Sequence, residues 1–365
     1  MCPNTDKSAA FKDTMRTPSI DPAFYKERIA PYLPTVVLDF HAHVWRKSDW
    51  RAVPWKNGTQ GGTYMVAAED YPVERLIADG HSCFPDREYR AVCFGYPTPS
   101  ADNVKDTKYV AEAGGRRGMY PLMVTGSPLG VPGAVIRERL DAGKFLGFKV
   151  HTPWQGDDYG NTSVSDMISP NEMDVAQELG LIVLLHVPRT GRLADPEIQA
   201  GVKRLSEGWP EAKIVLAHCG RCYMPAEMER AIGSLSKLSN VYLDTSMVMD
   251  ETVLRMVFDG IDSSRVLFAT DFPVAAMVGR RVRVMDHWVD VVTGDVPASA
   301  YRVRAQGIRA TYMALEIADA VLTAGRAAGL GDEKLRDVFF ENGMKLLRSV
   351  RGGTALKLAE EKWQA

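Results

Sequence analysis

The chain has 365 residues, of which 45% are hydrophobic and 25% are charged, so its composition is that of an ordinary globular protein. Its 44 basic and 46 acidic residues nearly cancel, whereas a protein that binds nucleic acid normally carries a clear basic excess. The length exceeds the roughly 250 residues that one hydrophobic core usually supports. It therefore predicts either two domains or one elaborated barrel.

Neither a membrane segment nor a secretory signal is indicated. The longest fully apolar runs, such as residues 181–185, are far shorter than the ~20 residues of a spanning helix. Residues 1–19 contain no apolar stretch of the kind that secretory signals carry. The five cysteines are an odd number and suit a reducing compartment better than a disulfide framework. We therefore expect a cytoplasmic protein.

The first 35 residues are polar and rich in proline, and they predict an extension that wraps the body. From residue 36 onward, eight short apolar runs alternate with amphipathic segments. The runs cover residues 36–40, 89–94, 119–124, 145–150, 181–185, 213–217, 241–245 and 265–270. Strands that are hydrophobic almost throughout are typical of a parallel sheet covered on both faces.

Helical patterns fill the gaps between these runs. Residues 69–80, 131–143 and 169–180 have apolar positions three or four apart and end in glycine, a helix stop signal. Ser169 and Pro170 supply a capping hydroxyl and a proline at the first helical position. Longer helical patterns follow at residues 300–328 and 332–350.

This alternation predicts an α/β fold, a (β/α)8 TIM barrel over residues 36–350, with an extension at 1–35 and a tail at 351–365. The main alternative is a doubly wound sheet. That fold usually places a glycine-rich turn after its first strand, where this chain has histidines instead. One domain with long loops is therefore favoured.

Metal-binding residue types follow the ends of several apolar runs. His41 and His43 follow the first run, His186 and His218 follow the fifth and sixth, and Asp271 follows the eighth. The carboxyl ends of parallel barrel strands converge on one rim, where barrel enzymes keep their active sites. Imidazoles and a carboxylate suit a metal such as Zn²⁺. A lone His-x-His pair is more often structural, so the prediction depends on the joint pattern.

Three further residues near these strand ends have two readings each. Asp39 lies one layer beneath the first histidines, where it would orient them or form a buried ion pair with Lys149. Lys149 itself would then support the histidines from the second layer. His151 shares a strand face with Lys149 and would contact substrate or act as a weaker metal ligand.

The loops after the strands carry candidate substrate contacts. Arg189 and Arg221 each follow a strand-end histidine by three residues and could hold a carboxylate through two parallel hydrogen bonds. Solvated loop arginines are the alternative. Trp45, Trp50 and Trp55 occur in a long, glycine-containing loop that predicts a lid or pocket wall for an aromatic substrate. Packing against the N-terminal extension would equally explain these tryptophans.

Cys219 and Cys222 form a C-x-x-C motif directly after His218. Redox dithiols usually begin a helix of a small α/β fold, and a structural zinc site would need a second cysteine pair. Two incidental thiols on a loop are therefore the favoured interpretation.

The chain resembles the amidohydrolase superfamily, specifically its amidohydrolase-2 branch of metal-dependent hydrolases and aromatic-acid decarboxylases. The resemblance rests on LDFHAH, GFKVH, LLHVPR, IVLAHCGR, VYLDTS, LFATDFP and FFENGMKLL. It implies a distorted (β/α)8 barrel with His41, His43, His186 and Asp271 as metal ligands and His218 as the catalytic acid/base. Binuclear relatives use a carbamylated lysine as a metal bridge, but His151 is closer to the rim here than Lys149. We therefore expect one metal ion.

The resemblance also implies an activity. We expect a hydrolase that cleaves a C–N or C–O bond in a small aromatic or carboxylate-bearing molecule, with metal-activated water and acid-base chemistry by Asp271 and His218. A non-oxidative decarboxylase and a dehydrative cyclase or condensation enzyme are the alternatives. A non-catalytic binding barrel is less favoured because all five key positions are filled.

The expected cofactor is one divalent ion, zinc or alternatively manganese. The expected partner is a small-molecule substrate, with neither nucleic acid nor membrane, and we expect a homo-oligomer, namely a dimer.

Overall fold

The centre of the molecule is a parallel β-barrel. The structure, a computed structural model, describes residues 22–49, 70–97, 103–125, 131–151, 160–293, 301–302 and 311–351. Its barrel strands are β1 Val36–His43, β2 Glu88–Phe94, β3 Met119–Pro121, β4 Met123–Thr125, β5 Gly147–Val150, β6 Ile182–Leu185, β7 Lys213–Leu216, β8 Val241–Asp244 and β9 Val266–Leu267. They pair in parallel in the orders β1-β2-β3 and β4-β5-β6-β7-β8-β9. The buried apolar residues of these strands form one continuous core with those of the surrounding helices.

Backbone hydrogen bonds join the two sheets into one closed barrel. Only Leu122 separates β3 from β4, so the two are halves of one broken strand, and eight strands result. On the other side, the Phe40 amide donates to the Phe268 carbonyl at 2.9 Å. The Asp271 amide likewise donates to the His41 carbonyl at 2.9 Å. The predicted (β/α)8 TIM barrel is confirmed, and each of its strands corresponds to one apolar run.

Helices surround the barrel. They are α1 Val73–Cys83, α2 Asn103–Ala113, α3 Gly133–Gly143, α4 Pro170–Leu179, α5 Pro196–Gly208, α6 Pro225–Ala231, α7 Glu251–Gly260, α8 Met313–Ala327, α9 Asp332–Phe339 and α10 Glu341–Arg348. The predicted start of α4 is confirmed, because the Ser169 hydroxyl accepts a hydrogen bond from the Glu172 amide. Among the described residues, no helix combines the length and the apolar character needed to cross a membrane.

Two helix ends differ from the sequence prediction. Helix α1 continues past Gly80 to Cys83, because Gly80 serves packing and does not end the helix: a Cβ there would lie 2.3 Å from a ring carbon of Tyr89. The predicted helix 332–350 is divided at Phe340, whose φ of −150° interrupts the helical backbone. The break accompanies Asn342, whose side-chain amide donates to the carbonyls of Ser263 and of Val266, the first residue of β9.

An antiparallel hairpin after β9 was not predicted. Its strands are β10 Gly279–Val284 and β11 His287–Val292, and β12 Tyr301–Arg302 pairs with β11 in parallel. The helix expected from residue 300 begins only at Met313. Arg280 anchors the hairpin through ion pairs with Glu251 of α7 and Glu316 of α8.

Candidate metal centre and active site

Five of the seven histidines of the sequence converge at the carboxyl ends of the barrel strands. The ring centroids lie 4.9 Å apart for His41–His218, 5.5 Å for His41–His43, 5.3 Å for His186–His218 and 4.1 Å for His151–His186. The remaining two histidines are exposed elsewhere on the surface. The topology therefore brings together every histidine that the sequence analysis placed at this rim.

Asp271 supplies a carboxylate to the centre of this cluster. Its Oδ1 lies 3.4 Å from His41 Nε2 and 3.3 Å from His43 Nε2. His41, His218 and Asp271 each offer a ligand atom within 4.8 Å of the other two. Burial would raise the pKa of Asp271, but the contacts with the surrounding histidines hold it at about 2. The group is therefore an ionised, buried carboxylate.

Three of the imidazoles are held through Nδ1. The acceptors are Asp244 Oδ2 for His41 at 2.8 Å, the Gly95 carbonyl for His43 at 3.1 Å and the Ser246 carbonyl for His218 at 3.1 Å. A carbonyl or carboxylate acceptor places the proton on Nδ1 and leaves the Nε2 lone pair available. Burial lowers the pKa of all three rings, so they are neutral, as metal ligands must be.

Asp244 is a functional residue that the sequence analysis missed. It is fully buried at the end of β8 and accepts the His41 Nδ1 proton, the His218 amide at 2.8 Å and the Ser246 amide at 3.1 Å. It lies within an apolar run rather than just beyond it, which is why inspection of the strand ends did not single it out. The VYLDTS motif contained it, without an assigned role.

Lys149 and Asp39 lie beneath the histidines but do not contact each other as an ion pair. Lys149 is fully buried, with Nζ 3.1 Å from His41 Nε2, and burial lowers its pKa to about 7. The Asp39 carboxylate accepts hydrogen bonds from the His41 amide, Thr270 and Tyr89 instead. Asp39 therefore supports the first histidines through the backbone, and the alternative ion pair with Lys149 does not form in the described structure.

His186 and His151 stand side by side at the edge of the cluster. Neither Nδ1 atom has a hydrogen-bond partner among the described residues, although both atoms are buried. Buried polar atoms are normally paired, so unpaired imidazole nitrogens beside a carboxylate fit a ligand that the protein chain does not supply. Together with Asp271 and the Nε2 atoms of His41, His43 and His218, this donor set fits a divalent metal ion.

The backbone is strained where these residues lie. His218, Cys219, Gly220 and Arg221 have φ values of 55°, 49°, 68° and 62°, so they form one left-handed turn. A left-handed conformation costs roughly 1–2 kcal/mol per non-glycine residue. Asp271 shares this property, with φ of 74°. Strain of this kind concentrates at functional sites, where the surrounding structure enforces it.

The two candidate arginines differ in position. Arg189 donates to the Thr162 carbonyl at 2.9 Å and lies 3.6 Å from Asp195, so its guanidinium links its own loop to the segment after β5. Arg221 donates to a carbonyl of the loop after β6, and its charge lowers the pKa of both His151 and His186. Arg221 is therefore the arginine beside the histidine cluster.

The aromatic and thiol candidates are both in the interior. Trp45 is fully buried, with its ring centroid 5.5 Å from that of Tyr71 and 5.4 Å from that of Tyr96. Trp50, Trp55 and most of the predicted lid lie outside the described residues. Cys219 and Cys222 are buried rather than on an open loop, and burial raises the pKa of both thiols, so they are protonated.

The fold and the site define a TIM barrel with a histidine–carboxylate cluster at its carboxyl-terminal rim. The family model described as Amidohydrolase matches residues 38–279, and the chain belongs to this amidohydrolase-2 family. The family consists of enzymes that act on small molecules, and this protein is one of them. A comparison with curated proteins finds no match.

Solved structures share the fold at low sequence identity. An amidohydrolase from Burkholderia multivorans with bound zinc is 16% identical with a TM-score of 0.55, over 86% of this chain and 99% of that chain. The 4-oxalomesaconate hydratase from Rhodopseudomonas palustris is 18% identical with a TM-score of 0.52, over 90% and 100%. The 5-carboxyvanillate decarboxylase from Sphingomonas paucimobilis is 14% identical with a TM-score of 0.52, over 86% and 99%.

Proposed function

We propose that the protein is a metal-dependent hydrolase that cleaves a C–N or C–O bond in a small aromatic or carboxylate-bearing molecule. The observation that carries this proposal is the position of Asp271, an ionised carboxylate within 3.4 Å of two imidazole Nε2 atoms. A metal ligand that is also a base is the arrangement that hydrolysis by activated water requires.

The metal would be one divalent ion, zinc or alternatively manganese. His41, His43 and Asp271 would hold it, with His186 as the fourth predicted ligand. When bound, the ion supplies Lewis-acid chemistry that polarises the scissile group and lowers the pKa of water toward neutrality. The zinc in the Burkholderia multivorans amidohydrolase supports the choice of metal.

The proposed proton transfers use Asp271 and His218. Asp271 would accept a proton from water, because its pKa of about 2 keeps it ionised at neutral pH. His218 keeps its own proton on Nδ1 and presents Nε2 as a base, and burial lowers its pKa to about 4. A proton received at Nε2 would therefore be released readily to the leaving group.

The predicted substrate contacts are His151, Arg221, Arg189 and Trp45. Arg221 has the strongest support, because it lies beside the stacked His151 and His186 rings and could place a substrate carboxylate near the centre. Arg189 and Trp45 keep their predicted roles only if substrate binding rearranges the contacts described above.

Decarboxylation is the second candidate, and the position of Arg221 favours it as well. A carboxylate held at the centre could be the group that leaves, with an acid protonating the remaining carbon. The 5-carboxyvanillate decarboxylase among the structural neighbours is consistent with this chemistry.

The experiment is a substrate screen in labelled water. Zinc-loaded protein is incubated in H₂¹⁸O with aromatic lactones and amides and with 5-carboxyvanillate, and Asp271→Asn serves as the inactive control. Entry of ¹⁸O into the product supports hydrolysis. In a parallel incubation in D₂O, release of CO₂ with uptake of solvent deuterium on carbon identifies decarboxylation instead. Purified protein should contain close to one metal ion per chain, and folded protein that takes up no zinc or manganese contradicts both candidates.

A further inference from the structure

A tyrosine beside the histidine cluster has no role in the chemistry above. Tyr223 follows the left-handed turn by two residues, and its ring centroid lies 6.1 Å from that of His218. No described residue forms a hydrogen bond with its hydroxyl, whereas its backbone amide is bonded to Glu227. Burial raises the pKa of Tyr223, so the phenol is a neutral hydrogen-bond donor.

The β10–β11 hairpin fixes the Tyr223 ring. The Arg281 guanidinium carbon lies 4.6 Å from the centroid of the Tyr223 ring and 3.9 Å from that of the Trp288 ring. The two rings are themselves 5.1 Å apart. Asp290 holds Arg281 through two hydrogen bonds of 2.8 and 2.9 Å, so the charge of this guanidinium is matched within the hairpin. Arg281 therefore acts as a planar support for Tyr223 rather than as an anion-binding group.

The charged groups that act on the Tyr223 hydroxyl include residues of the active site. The positive charges of Arg281, Arg221 and Arg192 lower its pKa, and the negative charge of Asp271 raises it, although burial has the largest effect. Together with the 6.1 Å between the centroids of the Tyr223 and His218 rings, these effects indicate that Tyr223 lies beside the active site.

We propose that the Tyr223 hydroxyl donates a hydrogen bond to a carbonyl or carboxylate oxygen of the substrate next to His218. Tyr223 is then a substrate-binding residue, and Arg281 and Trp288 of the hairpin are positioning residues. The inference rests on the proposed function, because it assumes that the substrate occupies the mouth of the barrel. It adds the hairpin, which the sequence analysis did not predict, to the determinants of specificity.

The test for Tyr223 is the substitution Tyr223→Phe, which removes the hydroxyl and keeps the stacked ring. Loss of a buried hydrogen bond to a charged partner should lower kcat/KM by about 10- to 100-fold. Zinc content and melting temperature should not change. Tyr242→Phe is the matched control, because Tyr242 is also half-buried but lies in the first half of β8, away from the carboxyl-terminal rim. It should leave kcat/KM unchanged.

A binding measurement separates this inference from the proposed function. Calorimetry on zinc-loaded protein with phthalate and benzoate as planar acid probes should give a Kd that Tyr223→Phe raises about 10-fold or more. Probe binding without any turnover would contradict the hydrolase proposal alone. A Kd within twofold of the wild-type value in Tyr223→Phe, or no binding of either probe to the wild type, would overturn the role of Tyr223.

The role of the hairpin has its own readout. Trp288→Phe keeps an aromatic ring beside Arg281 and should retain most of the probe affinity, whereas Trp288→Leu should lose as much as Tyr223→Phe. In kinetics with any substrate found, the Trp288→Leu loss should appear in KM more than in kcat. Equal behaviour of the Phe and Leu variants would contradict a positioning role.

Discussion

Replacing Asp244 by asparagine tests whether one buried carboxylate organises the metal centre. Asp244 Oδ2 accepts the Nδ1 proton of His41, while Oδ1 accepts the backbone amides of His218 and Ser246. The substitution keeps the size of the side chain but replaces one acceptor oxygen with an NH₂ donor. In either orientation of the new amide, its NH₂ group faces an N–H that donates to Asp244 in the wild type: the imidazole of His41, or the backbone amides of His218 and Ser246.

The magnitude follows from which contact fails. If the asparagine oxygen remains with the two backbone amides, its NH₂ faces His41 Nδ1, and the imidazole must move its proton to Nε2 or lose the contact. A proton on Nε2 removes the lone pair that faces Asp271. Loss of such an orienting partner typically lowers metal affinity 10- to 100-fold, which equals about 1.4–2.8 kcal/mol. The mispaired buried group should also reduce the free energy of unfolding by about 1–3 kcal/mol.

The assay is zinc competition against a chelator of known affinity, combined with chemical unfolding of the metal-free protein. Asp319→Asn is the matched control: Asp319 is a buried carboxylate that accepts two hydrogen bonds from Arg28, away from the rim. It should lose stability without losing zinc affinity. The reasoning is refuted if Asp244→Asn binds zinc within threefold of the wild type, because the carboxylate would then not control the His41 tautomer.

Three further predictions follow from burial and charge at single positions. His218→Asn should retain zinc and lose turnover, whereas Asp271→Asn should lose both. Elemental analysis and kinetics on the same preparations check this prediction. Loss of zinc in His218→Asn would show that His218 is a metal ligand. Arg221→Gln should weaken the binding of benzoate about 10-fold in calorimetry, because the Arg221 guanidinium acts on the histidines. Arg189→Gln should leave this affinity unchanged, because Arg189 is bonded to the Thr162 carbonyl. An equal loss of affinity in both variants would contradict this assignment. Burial raises the pKa of Asp106 to about 8. Between pH 4 and pH 8 the folded protein therefore holds a proton on this carboxyl that the unfolded chain releases. The stability that this group contributes consequently falls as the pH rises. The free energy of unfolding of Asp106→Asn, measured by urea titration, should therefore increase relative to that of the wild type as the pH rises from 5 to 7. The increase should be up to about 1.4 kcal/mol per pH unit. A difference between the two proteins that does not depend on pH would contradict this prediction.

The barrel could be predicted from the sequence because its strands are buried on both faces. Each strand then appears as a continuous apolar run, and the carboxyl end of each run fixes where its next polar residue lies. That is why His41, His43, His186, His218 and Asp271 could be assigned to one rim from spacing alone. The structure confirms the fold, and it places all five side chains in one cluster.

The hairpin could not be predicted by the same reasoning. Its two long strands are half-exposed, and β10 is rich in arginine, with arginine and valine alternating over residues 281–284 in a pattern that an exposed loop can share. Its stability comes from long-range contacts, such as Arg280 with Glu251 and Glu316 on separate helices, which no local pattern reports. The stacking of Tyr223 on Arg281 depends on the same long-range arrangement.

The turn after β7 shows why roles are harder to predict than positions. The sequence His218-Cys219-Gly220-Arg221 contains one glycine, so local preference predicts at most one left-handed residue, and the structure has four. Gly220 has a second reason to be glycine, because a Cβ there would lie 2.5 Å from the Leu193 side chain. The three strained non-glycine residues persist only because surrounding hydrogen bonds offset the strain. Two of those hydrogen bonds are accepted by Asp244. The His218 amide donates to the Asp244 carboxylate, and the Cys219 thiol donates to the Asp244 backbone carbonyl. The same residue thus orients His41 and holds the turn that carries His218 and Arg221. A spacing argument can find each of these side chains, but only the folded backbone shows that they share one support.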